Sequence, residues 1–176
     1  MILEEAINKL LRDVINLILA APDYAIKAKQ TGAPRPSDSY ADVDFASDSS
    51  IGWEQFTHED AGDDLNHTAT GMRRIMVSCG FYRDLSVDNA RRVRIGLVRE
   101  SVQALFSQAG LGLIRRSEVR EISTALENGW EERAQFDVWL SAVGVDTDLV
   151  RAINTIDMAC EFHTRGLVYN LTIEDN

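Results

Sequence analysis

The chain has 176 residues, 45% of them hydrophobic, and a formal net charge of −10, so one well-filled core over 1–176 is expected rather than two. No apolar run approaches the length of a membrane span, and Met1-Ile2-Leu3-Glu4-Glu5 lacks the basic flank and apolar stretch of a signal peptide. The expectation is a protein with no membrane partner that stays in the cytoplasm, and the excess of acid argues against a general nucleic-acid surface, which needs a basic patch.

The first element is an amphipathic helix over about 3–20, where Leu3, Ala6, Ile7, Leu10, Leu11, Val14, Leu17 and Ile18 recur at helical spacing between polar residues. Ala21-Pro22 ends it. The stretch 22–39 holds all three prolines with Gly32, Lys27 and Lys29, the composition of an extended arm with few contacts to the rest of the chain. Val43, Phe45, Ile51, Trp53 and Phe56 then predict a strand, a break at Ser47–Ser50 and a second strand piece. Residues 57–70 carry Asp60, Gly62, Asp63 and Asp64 and only one large apolar side chain, Leu65, which predicts a solvated acidic loop.

Ile75, Val77, Cys79 and Phe81 alternate with Arg74, Met76, Ser78 and Tyr82, the pattern of a half-buried strand. Ser86 has the chemistry of an N-cap and Asp88 suits the positive end of a helix, so one long helix is predicted over about 87–108. Its buried stripe comprises Ala90, Val93, Leu97, Val98, Val102, Leu105 and Phe106. Gly110 is the expected stop, followed by a short strand at Leu111–Ile114. Ala134, Phe136, Val138, Leu140 and Ala142 alternate with polar positions and predict a strand over 133–143, with a turn at Asp146–Asp148. Two further strands are expected, over 156–162 and within 167–173. With no regular alternation of strand and helix, the fold class is α+β: a mostly antiparallel sheet covered by the two helices.

Charge is polarised along the chain. Between Asp38 and Thr70 there are nine acids and no lysine or arginine, whereas Gly71 to Arg120 holds ten arginines against four acids, a net of +6. Such blocks either pair within one subunit or present opposite faces to different neighbours. Arg91, Arg92, Arg94 and Arg99 could hold phosphate, but a solvated helix face or pairing with the acidic segment is the simpler reading. Trp130, Trp139, Tyr40 and Trp53 read most simply as core or core-edge aromatics, a class also enriched at protein interfaces.

Candidates for catalysis are few. His58, Glu59, Asp60, Asp63, Asp64 and His67 include hard-metal ligands, which leaves a small metal-dependent hydrolase as a competing class, yet their spacing fits neither a calcium loop nor a His-Glu-x-x-His helix. Cys79 and Cys160 sit at apolar phases of predicted strands and read as small buried hydrophobes in a reducing compartment; pairing Cys79 with His58 or His163 as nucleophile and base is disfavoured for that reason. Gly110-Leu111-Gly112 lacks the third glycine and preceding strand of a dinucleotide site. No catalytic residue, metal or cofactor is expected.

Several segments together resemble a known family. Ala33-Pro34-Arg35-Pro36 followed by Tyr40-Ala41, the Ile51-Gly52-Trp53 step, the strand from Val77 to Tyr82, Ala109-Gly110-Leu111-Gly112-Leu113 and Trp130-Glu131-Glu132-Arg133-Ala134-Gln135-Phe136 resemble phage neck or tail terminator-like proteins over about 33–143. The resemblance implies a virion structural protein that forms a ring, typically of six subunits. That ring caps the tail tube, stops its growth and joins it to the head connector, with DNA only passing through the lumen. A neighbouring neck ring, a stopper or adaptor, is the nearest alternative. Asp60, Asp63, Asp64, Arg91, Arg92, Arg94 and Arg35 are the candidate interface residues.

Overall fold

Helical spacing near the N-terminus produces α1 (Ile2–Leu19), which buries Ile7, Leu11, Val14, Ile15 and Ile18. The computed structural model describes residues 2–151 apart from Thr31, Ala33, Asp63, Glu127 and Asn128; the strands expected at 156–162 and 167–173, with Cys160 and His163, lie outside the described residues. Beyond α1 come β1 (Ala25–Lys27), β2 (Tyr40–Asp60), β3 (Asp64–Tyr82), α2 (Ser86–Gly96), α3 (Glu100–Gln108), β4 (Gly112–Arg116), β5 (Arg120–Glu121), β6 (Thr124–Leu126), β7 (Gly129–Glu131) and β8 (Arg133–Arg151). One sheet has the order β1-β2-β3-β8-β4, with β5 also paired to β8, and β6-β7 is a separate antiparallel pair. β1 runs parallel to β2, and β4 and β5 run antiparallel to β8. The α+β class with a mostly antiparallel sheet is therefore observed.

The chain divides into two compact units, residues 1–53 with 71–144 and residues 54–70 with 145–176. The core of the first unit follows the predicted alternation. Ile75, Val77, Cys79 and Phe81 of β3 and Ala134, Phe136, Val138, Leu140 and Ala142 of β8 are buried in one cluster with α1, α2 and α3. Phe81 and Phe136 stack at 5.8 Å between ring centroids. Cys79 is buried and free, and burial pushes its thiol pKa up, so it is packing rather than a nucleophile.

Four expectations are corrected in this unit. The long helix is two, because Arg99 is extended (φ −62°, ψ 142°) and the chain restarts helix at Glu100. The buried positions Ala90, Val93, Leu97, Val102 and Phe106 include a step of five residues, so Val98, assigned to the stripe, is exposed. The freed carbonyl of Leu97 accepts from Gln103 Nε2 at 2.7 Å. Ser86 does not cap: Leu85 occupies the N-cap position with φ 60°, and the buried Ser86 Oγ has no hydrogen-bond partner among the described residues. The Ser47–Ser50 break is absent, since the Asp48 carboxylate accepts from Arg73 Nε at 2.9 Å and Ser49 Oγ donates to the Arg74 carbonyl, tying β2 to β3.

The fourth correction concerns the arm. Residues 25–27 form β1, Ala25 is buried, Asn16 Oδ1 accepts from the Ala25 amide at 2.8 Å, and Lys27 and Lys29 pair with Glu5 and Asp44. A segment expected from its prolines, Gly32 and lysines to make few contacts with the rest of the chain is held there by backbone pairing and charge. The glycine stop, by contrast, is as expected: Gly110 has φ +69°, and the Leu111 and Gly110 amides donate to Phe106 and Ser107 in a Schellman closure.

In the second unit, 57–60 and 64–70 are strand rather than loop. The reversal is confined to Ala61-Gly62 and its neighbours: the Ala61 amide donates to the Asp64 carbonyl at 2.9 Å, the Gly62 amide donates to Asp60 Oδ1 at 3.0 Å, and Gly62 has φ +82°. No described side chain of 54–70 or 145–150 is buried, so these strands carry no hydrophobic alternation to betray them. The turn expected at Asp146–Asp148 is likewise continuous β8.

Helix α2 approaches α1 closely enough that a Cβ at Gly96 would lie 2.6 Å from Ile18 Cγ2. Gly96→Ala is expected to lower stability by about 1–3 kcal/mol through overpacking, although alanine in an open helix gains up to about 1 kcal/mol. Urea denaturation checks this, and in an Ile18→Ala background the same substitution should be neutral or stabilising.

Candidate assembly interface

The structure places the candidate interface residues in different settings. Arg91 and Arg92 are exposed on α2, Arg91 pairing with Asp88 at 3.5 Å and Arg92 reaching Asn89 Oδ1. Arg94 is turned inward: its Nε donates to the Ser117 carbonyl at 2.7 Å and its Nη2 to Glu118 at 2.9 Å, while Arg116 donates to the Arg94 carbonyl. It is a strut between α2 and the segment after β4. Asp60 and Asp64 come together at the hairpin turn, where Asp60 caps an amide, and Asp63 lies outside the described residues.

Arg35 belongs to a cluster that the sequence did not announce. Tyr40 and Tyr82 stack at 4.7 Å with 11° between their planes. The Arg35 guanidinium lies 5.1 Å from the Tyr82 centroid, donates from Nε to Tyr40 Oη, and pairs with Glu131 at 3.2 Å. Arg133 and Arg83 reach the same carboxylate at 2.5 and 3.7 Å. Glu131 is only 7% exposed. Burial pushes its pKa up, but the Arg133 hydrogen bond and the charges of Arg35, Arg133 and Arg83 outweigh it and hold it below the ordinary value. On the other side of the stack, Tyr82 Oη donates to Asp42 Oδ2 at 3.0 Å; burial raises the Asp42 pKa more than this bond lowers it. Gly80 makes room, since a Cβ there would collide with the Asp42 carboxylate.

An open recess of about 570 Å³ adjoins this cluster, bounded by Asp38, the Arg83-Asp84 turn, Trp130 and Glu132. Asp38, Asp84 and Glu132 are exposed, and none of them has an ion pair among the described residues. Trp130 is 70% exposed and Trp53 is 98% exposed, so both core-edge assignments are overturned. Tyr40 is buried as expected, and Trp139 lies 3.9 Å from the Arg115 guanidinium. Arg83 and Leu85 both have positive φ, 68° and 60°, an arrangement L residues adopt at a cost of about 1–3 kcal/mol each where the surroundings impose it.

The metal reading finds no geometric support. His67 stacks on His58 at 4.8 Å and on Phe56 at 5.1 Å. Among the described residues, no group of three His, Cys, Asp or Glu side chains is arranged to hold a metal.

A family model described as phage neck terminator protein matches residues 2–165. The chain belongs to the phage neck terminator family. No curated protein matches the sequence. Membership makes this neck terminator family protein a structural component of the phage neck and places it in the virion. The resemblance drawn from the arm, the β3 strand, the glycine stop and the Trp130–Phe136 run is thereby established. In the structure that run and the arm meet: Arg35 of the one holds Glu131 of the other.

Glu131→Gln would leave three guanidinium groups around a neutral amide. We expect a loss on the order of 1–3 kcal/mol at pH 7, since the partners are partly solvated. A lowered native pKa means that Glu131 contributes stability above its ordinary value of 4.5, and that this is lost as pH falls through the native value. The gap between wild type and variant should therefore narrow from pH 7 to pH 3 in chemical denaturation; an equal gap at both would contradict the account.

Proposed function

We propose that the protein is the terminator ring of the neck. Copies of this chain close head to tail on the end of the tail tube, block further tube subunits, and present the surface that meets the head connector. DNA passes through the lumen without being gripped, and the ring forms in the host cytoplasm before joining the virion. The family match over 2–165 carries this reading. Charge supports it where the two blocks are not paired with each other as Asp48 and Arg73 are: Asp38 and Asp60 of the acidic segment and Arg91, Arg92 and Arg99 of the basic block are exposed, and contacts between unlike patches of identical subunits close into rings when the rotation is right.

The decisive experiment removes the protein from infected cells and measures tails by electron microscopy. A terminator predicts tails of uncontrolled length that fail to join heads. Tails of normal length left unjoined would assign the chain to a neighbouring ring, the stopper or adaptor. A second test concerns the purified protein. Exposed ion pairs contribute about 0–1 kcal/mol each, so they set register and rate more than affinity. With a Debye length of about 10 Å at 0.1 M salt, raising ionic strength should shift isolated rings toward monomers by light scattering. An unchanged mass across the series would mean that the charges are satisfied within the subunit.

A further inference from the structure

Two exposed surface features of the first unit have complementary chemistry: the carboxylates of one have no ion pair among the described residues, and the arginines of the other make only exposed contacts along their own helix, Arg91 to Asp88 and Arg92 to Asn89. One is the recess, with the exposed indole of Trp130 at its edge and the carboxylates of Asp38, Asp84 and Glu132 around it. The nearest arginine at its wall, Arg83, is directed at Glu131, so it does not neutralise those three. A flat indole beside unpaired carboxylates in a concave site is the chemistry that receives a guanidinium, which stacks on the ring and donates to the acids. The other feature is the outer face of α2 and the turn after it. Arg91, Arg92 and Arg99 are exposed there, and Ile95 and Val98 between them are 65% and 54% exposed. Arginines around an exposed aliphatic pair suit an interface that must be apolar at its centre and charged at its rim.

We infer that the Trp130 recess receives an arginine from the α2 face of a neighbouring copy of this chain, with Ile95 and Val98 of that copy seated beside the indole. The inference rests on the ring proposed above and names its subunit contact. A second copy is the occupant favoured by charge, because the chain itself carries both halves of the pair. Recess against recess and α2 against α2 both repel, so the contact joins two unlike patches, and in the ring proposed above it is repeated once per subunit.

Charge exchange tests this. One variant carries Asp84→Arg and Glu132→Arg, and the other carries Arg91→Glu and Arg92→Glu. All four positions are exposed, and thermal melts of each variant check that the fold is retained. Each variant alone should fail to form rings by light scattering, with the assembly midpoint shifted to about tenfold higher concentration or more. An equimolar mixture should assemble, because the reversed recess of one meets the reversed helix of the other. Trp130→Ala should weaken assembly in the same assay without lowering the melting temperature. Wild-type rings accompanied by variants that each assemble alone, or by a mixture that does not, would overturn the recess contact and leave the ring standing. A wild-type chain that is monomeric at every concentration would overturn both.

Discussion

The structure depends on one face of a sheet being covered by helices that cannot be moved apart. β3 and β8 present alternate apolar side chains to a single cluster, and α1, α2 and α3 close over it. The closeness of α1 and α2 at Gly96 sets where α2 lies. From that follow the direction of its exposed arginines, the inward turn of Arg94 and the position of the Arg83–Leu85 corner that leads into the helix. A close-packed core transmits a displacement rather than absorbing it. The surface proposed for assembly is thus fixed by buried residues that never touch a neighbour.

The Arg35, Tyr40, Tyr82 and Glu131 cluster performs a similar task at the other end of α2. Three guanidiniums surround a nearly buried carboxylate, and two stacked tyrosines support Arg35. This ties the proline-containing arm to β3 and β7, segments far apart in sequence. Such a cluster contributes specificity of arrangement more than net stability, because each charge loses hydration on burial. It also explains why the arm is part of the subunit.

The fold was legible where one strand face or one helix face is buried. The alternation in 75–81 and 134–142 and the stripe in α1 correspond to the core, and Gly110 ends its helix with the predicted left-handed conformation. Reading failed where burial does not sort the residues. The ends of β2 and β3 are solvated on both sides, so an acidic stretch with Thr57, His58, Thr68 and Thr70 looked like a loop although it is strand. The interruption at Leu97–Arg99 was hidden because Val98 completes a plausible stripe while pointing outward. Of the candidate interface residues, Arg91 and Arg92 are exposed and contact only their own helix, whereas Arg94 and Arg35 are held by other segments of the subunit. Glu131 and the recess could not be found by periodicity, because they are assembled from three separate segments.

The central claim is that copies of this chain form the ring that ends the tail tube. Imaging the neck of intact particles at side-chain resolution tests it most directly. The account predicts a closed ring of this chain seated on the last layer of the tube, with α2 of each subunit facing the Trp130 recess of the next. A chain found as isolated copies, or in a ring separated from the tube by another protein, would contradict it.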